Sequence, residues 1–170
     1  TVYNTDYDTI NNAHSLWVAK DALQGQAFIK LDGDILLPDG ELLEALLNHP
    51  EPTAALVDTQ RQLDAEAMKA QVADGMITAF GKWLELDSSH GESIGIEKIA
   101  ASDARQLFDA IAQAVQVEGL VDLYYEDVYH RLLQQPATQF RMAACPLGAQ
   151  RWTEIDDHDD LAEARRLLQP

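Results

Sequence analysis

Ala27-Phe28-Ile29-Lys30-Leu31-Asp32-Gly33-Asp34 is a compact, mostly apolar run that ends in two carboxylates flanking a glycine. Its shortness and the turn-forming triplet behind it predict a buried strand over 27–31. Aspartates at the end of such a strand place oxygen donors at the carboxyl edge of a sheet, where α/β proteins bind ligands. Mg²⁺ takes one or two carboxylates together with phosphate oxygens and water, a set that two aspartates here could begin. The same triplet also fits an ordinary strand-end turn, where Asp and Gly are common.

Outward from this run, strands and helices alternate. Residues 38–48 read as a helix with Leu42, Leu43, Leu46 and Leu47 as its apolar stripe, stopped by Pro50. Residues 54–57 and 68–72 read as strands, and Asp74-Gly75 followed by 76–80 reads as a hairpin. A further strand is expected over 94–99. Ser102 is the expected N-cap of a helix that turns Leu107, Phe108, Ile111 and Val115 inward and stops at Gly119. A helix over 125–133, a strand over 140–144 and a last helix over 158–168 complete the chain. In that last helix, acids in the first turn and Arg165 and Arg166 in the last match the helix dipole. Upstream, 15–23 reads as a short helix, and Val2 and Tyr3 as the tail of a strand.

This order predicts an α/β domain with a mixed sheet and one hairpin. No repeat, low-complexity tract or linker divides it, so 1–170 is expected to be a single domain. A strand tail at the start, with no βα unit before it, implies that an N-terminal part of the fold is missing from these residues.

Composition narrows the function. A formal charge of −17 opposes nucleic-acid binding, which needs Lys and Arg in excess, and opposes binding to anionic lipid. Phosphorylated small molecules stay open, because a metal ion can bridge them to carboxylates. No apolar run reaches the ~18 residues that a membrane helix needs. The single cysteine, Cys145, cannot form an internal disulfide, and the first residues carry no signal pattern. A cytoplasmic protein is expected.

Other residues carry chemistry only in company. Asp156, in Trp152-Thr153-Glu154-Ile155-Asp156, read alone is a cap for the last helix. Converging with Asp34, it would complete a metal site. Asn11 to Leu16 could read a base or ribose, or simply start a helix, and His14 is by default a surface histidine. Tyr124-Tyr125-Glu126-Asp127, with Trp17 or Trp83, could surround an alkylammonium group, or supply core tyrosines and helix-start acids. Lys69 and Lys82 could hold a substrate phosphate or face solvent.

Taken in order, six segments resemble the sugar-phosphate nucleotidyltransferase superfamily. They are Asn11 to Leu16, Leu31 to Asp34, Glu66 to Lys69, Gly91 to Ile96, Tyr124 to Asp127 and Trp152 to Asp156. The branch most similar is that of the bacterial choline-phosphate cytidylyltransferases and their relatives acting on inositol phosphate or aminoalkylphosphonates. The resemblance implies a Rossmann-like nucleotidyltransferase fold, with a mixed, mainly parallel sheet, helices on both faces and a β-hairpin insertion. It also implies transfer of a nucleotidyl group from CTP or another NTP to a small phosphorylated acceptor such as choline phosphate or a phosphonate, releasing pyrophosphate. Mg²⁺ is the implied cofactor.

By position, Asp34 and Asp156 match the family's catalytic metal ligands. Asn12, Ser15 and Asp32 fall at the nucleotide site. Lys82, Tyr125 and Asp127 fall at the acceptor site. The family's glycine-rich loop, with its arginine and Pro-Lys, does not occur in these 170 residues. The expectation is therefore a piece of a longer enzyme, the C-terminal two-thirds of the domain, inactive alone. Asp-x-Asp after a strand equally marks nucleotide-sugar glycosyltransferases, and a non-catalytic nucleotide-binding relative is the other alternative. A homodimer is common by base rate, but nothing in the sequence shows an interface.

Overall fold

A computed structural model describes residues 1–169. Its elements are α1 (Asn12–Val18), α2 (Lys20–Leu23), β1 (Phe28–Leu31), β2 (Ile35–Leu36), α3 (Glu41–Asn48), β3 (Ala54–Asp58), β4 (Lys69–Ala73), β5 (Met76–Phe80), β6 (Gly91–Ile99), α4 (Ala101–Ala112), α5 (Tyr125–Gln134), β7 (Ala143–Pro146), β8 (Thr153–Glu154) and α6 (His158–Leu167).

β3 shows how the two faces of the sheet are filled. Side chains alternate across a strand, so Ala54 and Leu56 enter one core while Ala55 and Val57 enter the other. On the first face α3 lays down Leu42 and Leu46, both buried, together with Ile94, Ile96 and Cys145. Leu43 is partly buried, whereas Leu47, from the same expected stripe, is exposed. On the second face α1, α4 and α5 pack Leu16, Leu107, Phe108, Ile111, Val128 and Tyr129 onto the sheet. Each such large apolar side chain contributes about 1.5–3 kcal/mol on burial. Helices therefore cover both faces, as the resemblance implies.

The sheet is mixed but not mainly parallel. Its order is β1-β6-β3-β7-β5-β4, with β4 closing back onto the start of β6. Among the described pairings only β3 with β7 is parallel. β1, β3 and β7 do run in one direction, since β1 and β3 are both antiparallel to β6. α3 joins β1 to β3 as strands two places apart, and β6 fills the gap between them running the other way. Counting helices between strands predicts direction, not adjacency.

The hairpin is as expected, with Asp74 at φ 52° and Gly75 at φ 77°, the left-handed pair that a two-residue hairpin turn requires. Other boundaries shift. Residues 1–11 form neither helix nor strand, and Val2 and Tyr3 are exposed. The expected helix over 15–23 is two, broken at Ala19. β1 lies at an edge of the described sheet, with Ile29 and Leu31 exposed on alternate positions. Ala100, not Ser102, occupies the N-cap of α4, and no side chain caps it. The seventh strand begins at Ala143, after Phe140 and Met142 have already turned into the core. No helix among the described residues is long and apolar enough to cross a membrane.

Candidate active site

Two short strands bring distant carboxylates together. β2 pairs with β8 in the register Ile35 to Glu154 and Leu36 to Thr153, and the Ile155 N–H donates to the Asp34 carbonyl at 3.0 Å. One carboxylate oxygen from each of Asp34, Glu154 and Asp156 consequently lies within 4.8 Å of the others. Asp156 is free to join because its neighbour takes the helix end. Asp157 is the N-cap of α6, accepting from the Asp159 and Asp160 N–H groups in a reciprocal capping box with Asp160. The reading of Asp156 as a cap is thereby displaced by one residue. Burial, followed by the charges of Asp156 and Asp34, pushes the Glu154 carboxyl above its usual range.

Glu154 is the member that sequence reasoning missed. Its signal was spacing: side chains two apart on an extended segment point the same way, and Glu154 and Asp156 share that relation, as do Asp32 and Asp34. Three hard oxygen donors at this separation fit Mg²⁺ better than a softer metal.

Glu154 and Asp156 lie on the rim of a cleft of about 440 Å³. Asp32, Ser93 and Gly95 line it where β1 ends and β6 begins. Tyr125 and Glu126 enter from the start of α5, Arg61 and Lys82 from loops. Lys82 is partly exposed, 3.5 Å from Glu66, with its ammonium 5.3 Å from the Tyr124 ring centre. Arg61, the other solvent-exposed cation here, lies over the Trp152 ring at 5.1 Å and was not singled out from the sequence.

Behind the cleft sits a buried ionic network that sequence reasoning also missed. Lys30 faces Glu97 across the β1–β6 ladder. Its Nζ donates to Asp32 Oδ2 at 2.8 Å and to the Gly95 carbonyl at 3.2 Å, and lies 3.4 Å from Glu97 Oε2. It also sits 3.3 Å from the centre of the Tyr125 ring. Glu97 is fully buried, and burial pushes its carboxyl up to about 7 despite the opposing charge of Lys30. Glu126 is raised to about 8 for the same first reason.

The remaining nominated residues divide. Asn12 lines the cleft, but its side-chain oxygen accepts from the Tyr125 N–H at 3.0 Å, joining α1 to α5. Asp32 lines it with Oδ2 already held by Lys30 and Tyr125. Ser15 lies away from the lining and accepts from Asn4. Asp127 is outside the lining too, its carboxylate accepting from the Tyr124 N–H at 3.0 Å. The face of Tyr125 is covered by Lys30. Lys69 is buried, its ammonium donating to the carbonyls of Asp64, Ala65 and Ala67, so it holds a loop rather than a phosphate.

Structural comparison aligns nearly the whole chain with one kind of enzyme. The inositol-1-phosphate CTP transferase of T. maritima superposes with a TM-score of 0.75 at 20% identity, over 97% of this chain and 63% of that one. The CTP:phosphocholine cytidylyltransferase of Streptococcus pneumoniae gives 0.73 at 20% identity, over 98% and 67%. The fold is that of the nucleotidyltransferases. A UDP-glucose pyrophosphorylase from Acinetobacter shares this nucleotidyltransferase fold at a TM-score of 0.68 and 12% identity, over 94% and 56%. The chain thus spans roughly two-thirds or less of the length of these structures. No protein-family model and no curated protein sequence matches it.

Proposed function

We propose that the protein is a Mg²⁺-dependent nucleotidyltransferase that passes a nucleotidyl group, with CTP as the favoured donor, to a small phosphorylated acceptor and releases pyrophosphate. The observation that carries this reading is the meeting of Asp34 with Glu154 and Asp156, the latter two of which line the cleft. The shared fold supports it.

In the reaction an acceptor phosphate oxygen forms a new bond to the α-phosphorus while the bond to the β-phosphate oxygen breaks, and pyrophosphate carries that electron pair away. Such chemistry needs positioning and charge neutralisation more than a protein nucleophile. Asp34, Glu154 and Asp156 would hold Mg²⁺, which when bound supplies positive charge beside the reacting phosphates. Lys82 and Arg61, the partly exposed cations of the cleft, would take acceptor or donor phosphate oxygens. Lys30 keeps Asp32 in place from behind. No general base and no covalent intermediate are required.

The test is pyrophosphate release by the full-length protein with CTP, Mg²⁺ and a panel of acceptors including choline phosphate, inositol phosphate and 2-aminoethylphosphonate. Release with one acceptor supports the reading and names the substrate. Free nucleoside diphosphate from a nucleotide sugar would instead mark a glycosyltransferase. Silence with every NTP and acceptor overturns the reading in favour of nucleotide binding without turnover.

A further inference from the structure

Two buried side-chain atoms on the cleft wall have no hydrogen-bond partner among the described residues: Glu126 Oε2 and Ser93 Oγ. Glu126 is 4% exposed and Ser93 6%. They belong to different elements, α5 and β6. A buried carboxylate oxygen left without a donor bears the full cost of its lost water, so an occupant able to donate would relieve it.

The surroundings select the sign of that occupant. Asp32, Asp64, Glu66 and Glu92 line the same cleft, against Arg61 and Lys82. Lys30, the buried cation nearby, is already committed to Asp32, the Gly95 carbonyl and Glu97. Its ammonium also covers the face of Tyr125, so that ring is closed to a ligand. Trp83 packs edge-on against His130 and is absent from the lining. Tyr124 and Trp152 do line the cleft, but each ring already has a cation beside it, Lys82 at 5.3 Å and Arg61 at 5.1 Å. The wall at Glu126 and Ser93 therefore offers acceptors for N–H groups rather than an unoccupied aromatic face for a quaternary ammonium.

We propose that Glu126 and Ser93 form a subsite for an ammonium group that carries N–H bonds, so that the acceptor is a phosphorylated primary amine. This rests on reading the cleft as the acceptor site. A primary ammonium brings three donors, whereas a quaternary amine brings none and a hydroxyl brings one without charge. Such a group also favours the ionised form of Glu126, which burial alone disfavours.

Calorimetric titration of the full-length protein in Mg²⁺ with 2-aminoethyl phosphate, choline phosphate and 2-hydroxyethyl phosphate tests it. The expected result is binding of the primary amine about tenfold tighter than either of the others. Glu126→Gln should collapse that ratio toward one, and Ser93→Ala should reduce it. Equal affinities, a preference for choline phosphate, or a preference that survives Glu126→Gln overturns the subsite alone. Binding by none of the three phosphates sinks the acceptor-site reading along with it. Should Glu126→Gln fail to fold by circular dichroism, the wild-type ratios and Ser93→Ala still decide.

Discussion

The Tyr125 hydroxyl donates to Asp32 Oδ2 at 2.6 Å, tying the first residue of α5 to the end of β1 across 93 positions of sequence. Asp32 is thereby a clamp. Gly95 lies against it with φ at +74°, and a Cβ there would run into the Asp32 carboxylate. Gly95→Ala should cost about 1–3 kcal/mol through the left-handed backbone and the clash, and Tyr125→Phe about 1 kcal/mol. Urea unfolding of both variants measures this, and a Gly95→Ala cost below that of Tyr125→Phe would contradict it.

The three clustered carboxylates predict opposite effects on function and stability. Asp34→Asn, Glu154→Gln and Asp156→Asn should each weaken Mn²⁺ binding, read by electron paramagnetic resonance, and reduce transfer about a hundredfold or more. Without divalent cation, each should leave the melting temperature unchanged or raise it, because one of three like charges is removed. A drop of several degrees would show instead that the cluster holds the fold.

The two lysines of the hairpin region separate cleanly. Lys69→Met leaves three carbonyls without their donor and should cost about 2–4 kcal/mol. Lys82→Ala should change stability by less than about 0.5 kcal/mol while raising KM for the acceptor. Denaturation midpoints and steady-state kinetics on both variants check the division.

The buried acids set a pH dependence. Glu97 is raised from 4.5 to about 7 and Glu126 to about 8. In that window the folded state binds more protons than the unfolded chain, so stability falls as pH rises from about 5 toward 8. Glu126→Gln should flatten the upper part of the profile and raise the melting temperature at pH 8.5. A wild-type melting temperature that climbs steadily from pH 5.5 to 8.5 would contradict the sign.

How much of this was legible depended on range. The Asp74-Gly75 turn, the run into Asp32, the leucine stripe of α3 and the dipole-matched ends of α6 are written within a few residues. These elements formed where read, although Ile29 and Leu31 of the expected buried strand and Leu47 of the stripe are exposed. The direction of β6 between β1 and β3 is a matter of adjacency, which no local period encodes. Lys30 looks like a polar interruption of β1 until the ladder sets it opposite Glu97. The nominated pair Asp34 and Asp156 did converge. Glu154 stayed hidden because its contribution depends on the β2–β8 register. Asp127 and Tyr125, chosen for chemical type, turned out to be engaged by a backbone N–H and by Lys30.

Asp156 and Asp157 stand side by side with different tasks, one on the cleft rim and one capping α6. The helix behind them buries only Ala164, so little apolar packing anchors it, and local opening there is correspondingly cheap. Fraying of α6 releases its cap and with it the bond from the Asp156 N–H to Asp160 Oδ2, leaving Asp156 held from the β8 side alone. On the function proposed above, cation occupancy of the Asp34, Glu154 and Asp156 cluster and closure of the terminal helix would be linked, so Mg²⁺ would slow amide hydrogen exchange in a segment it never touches.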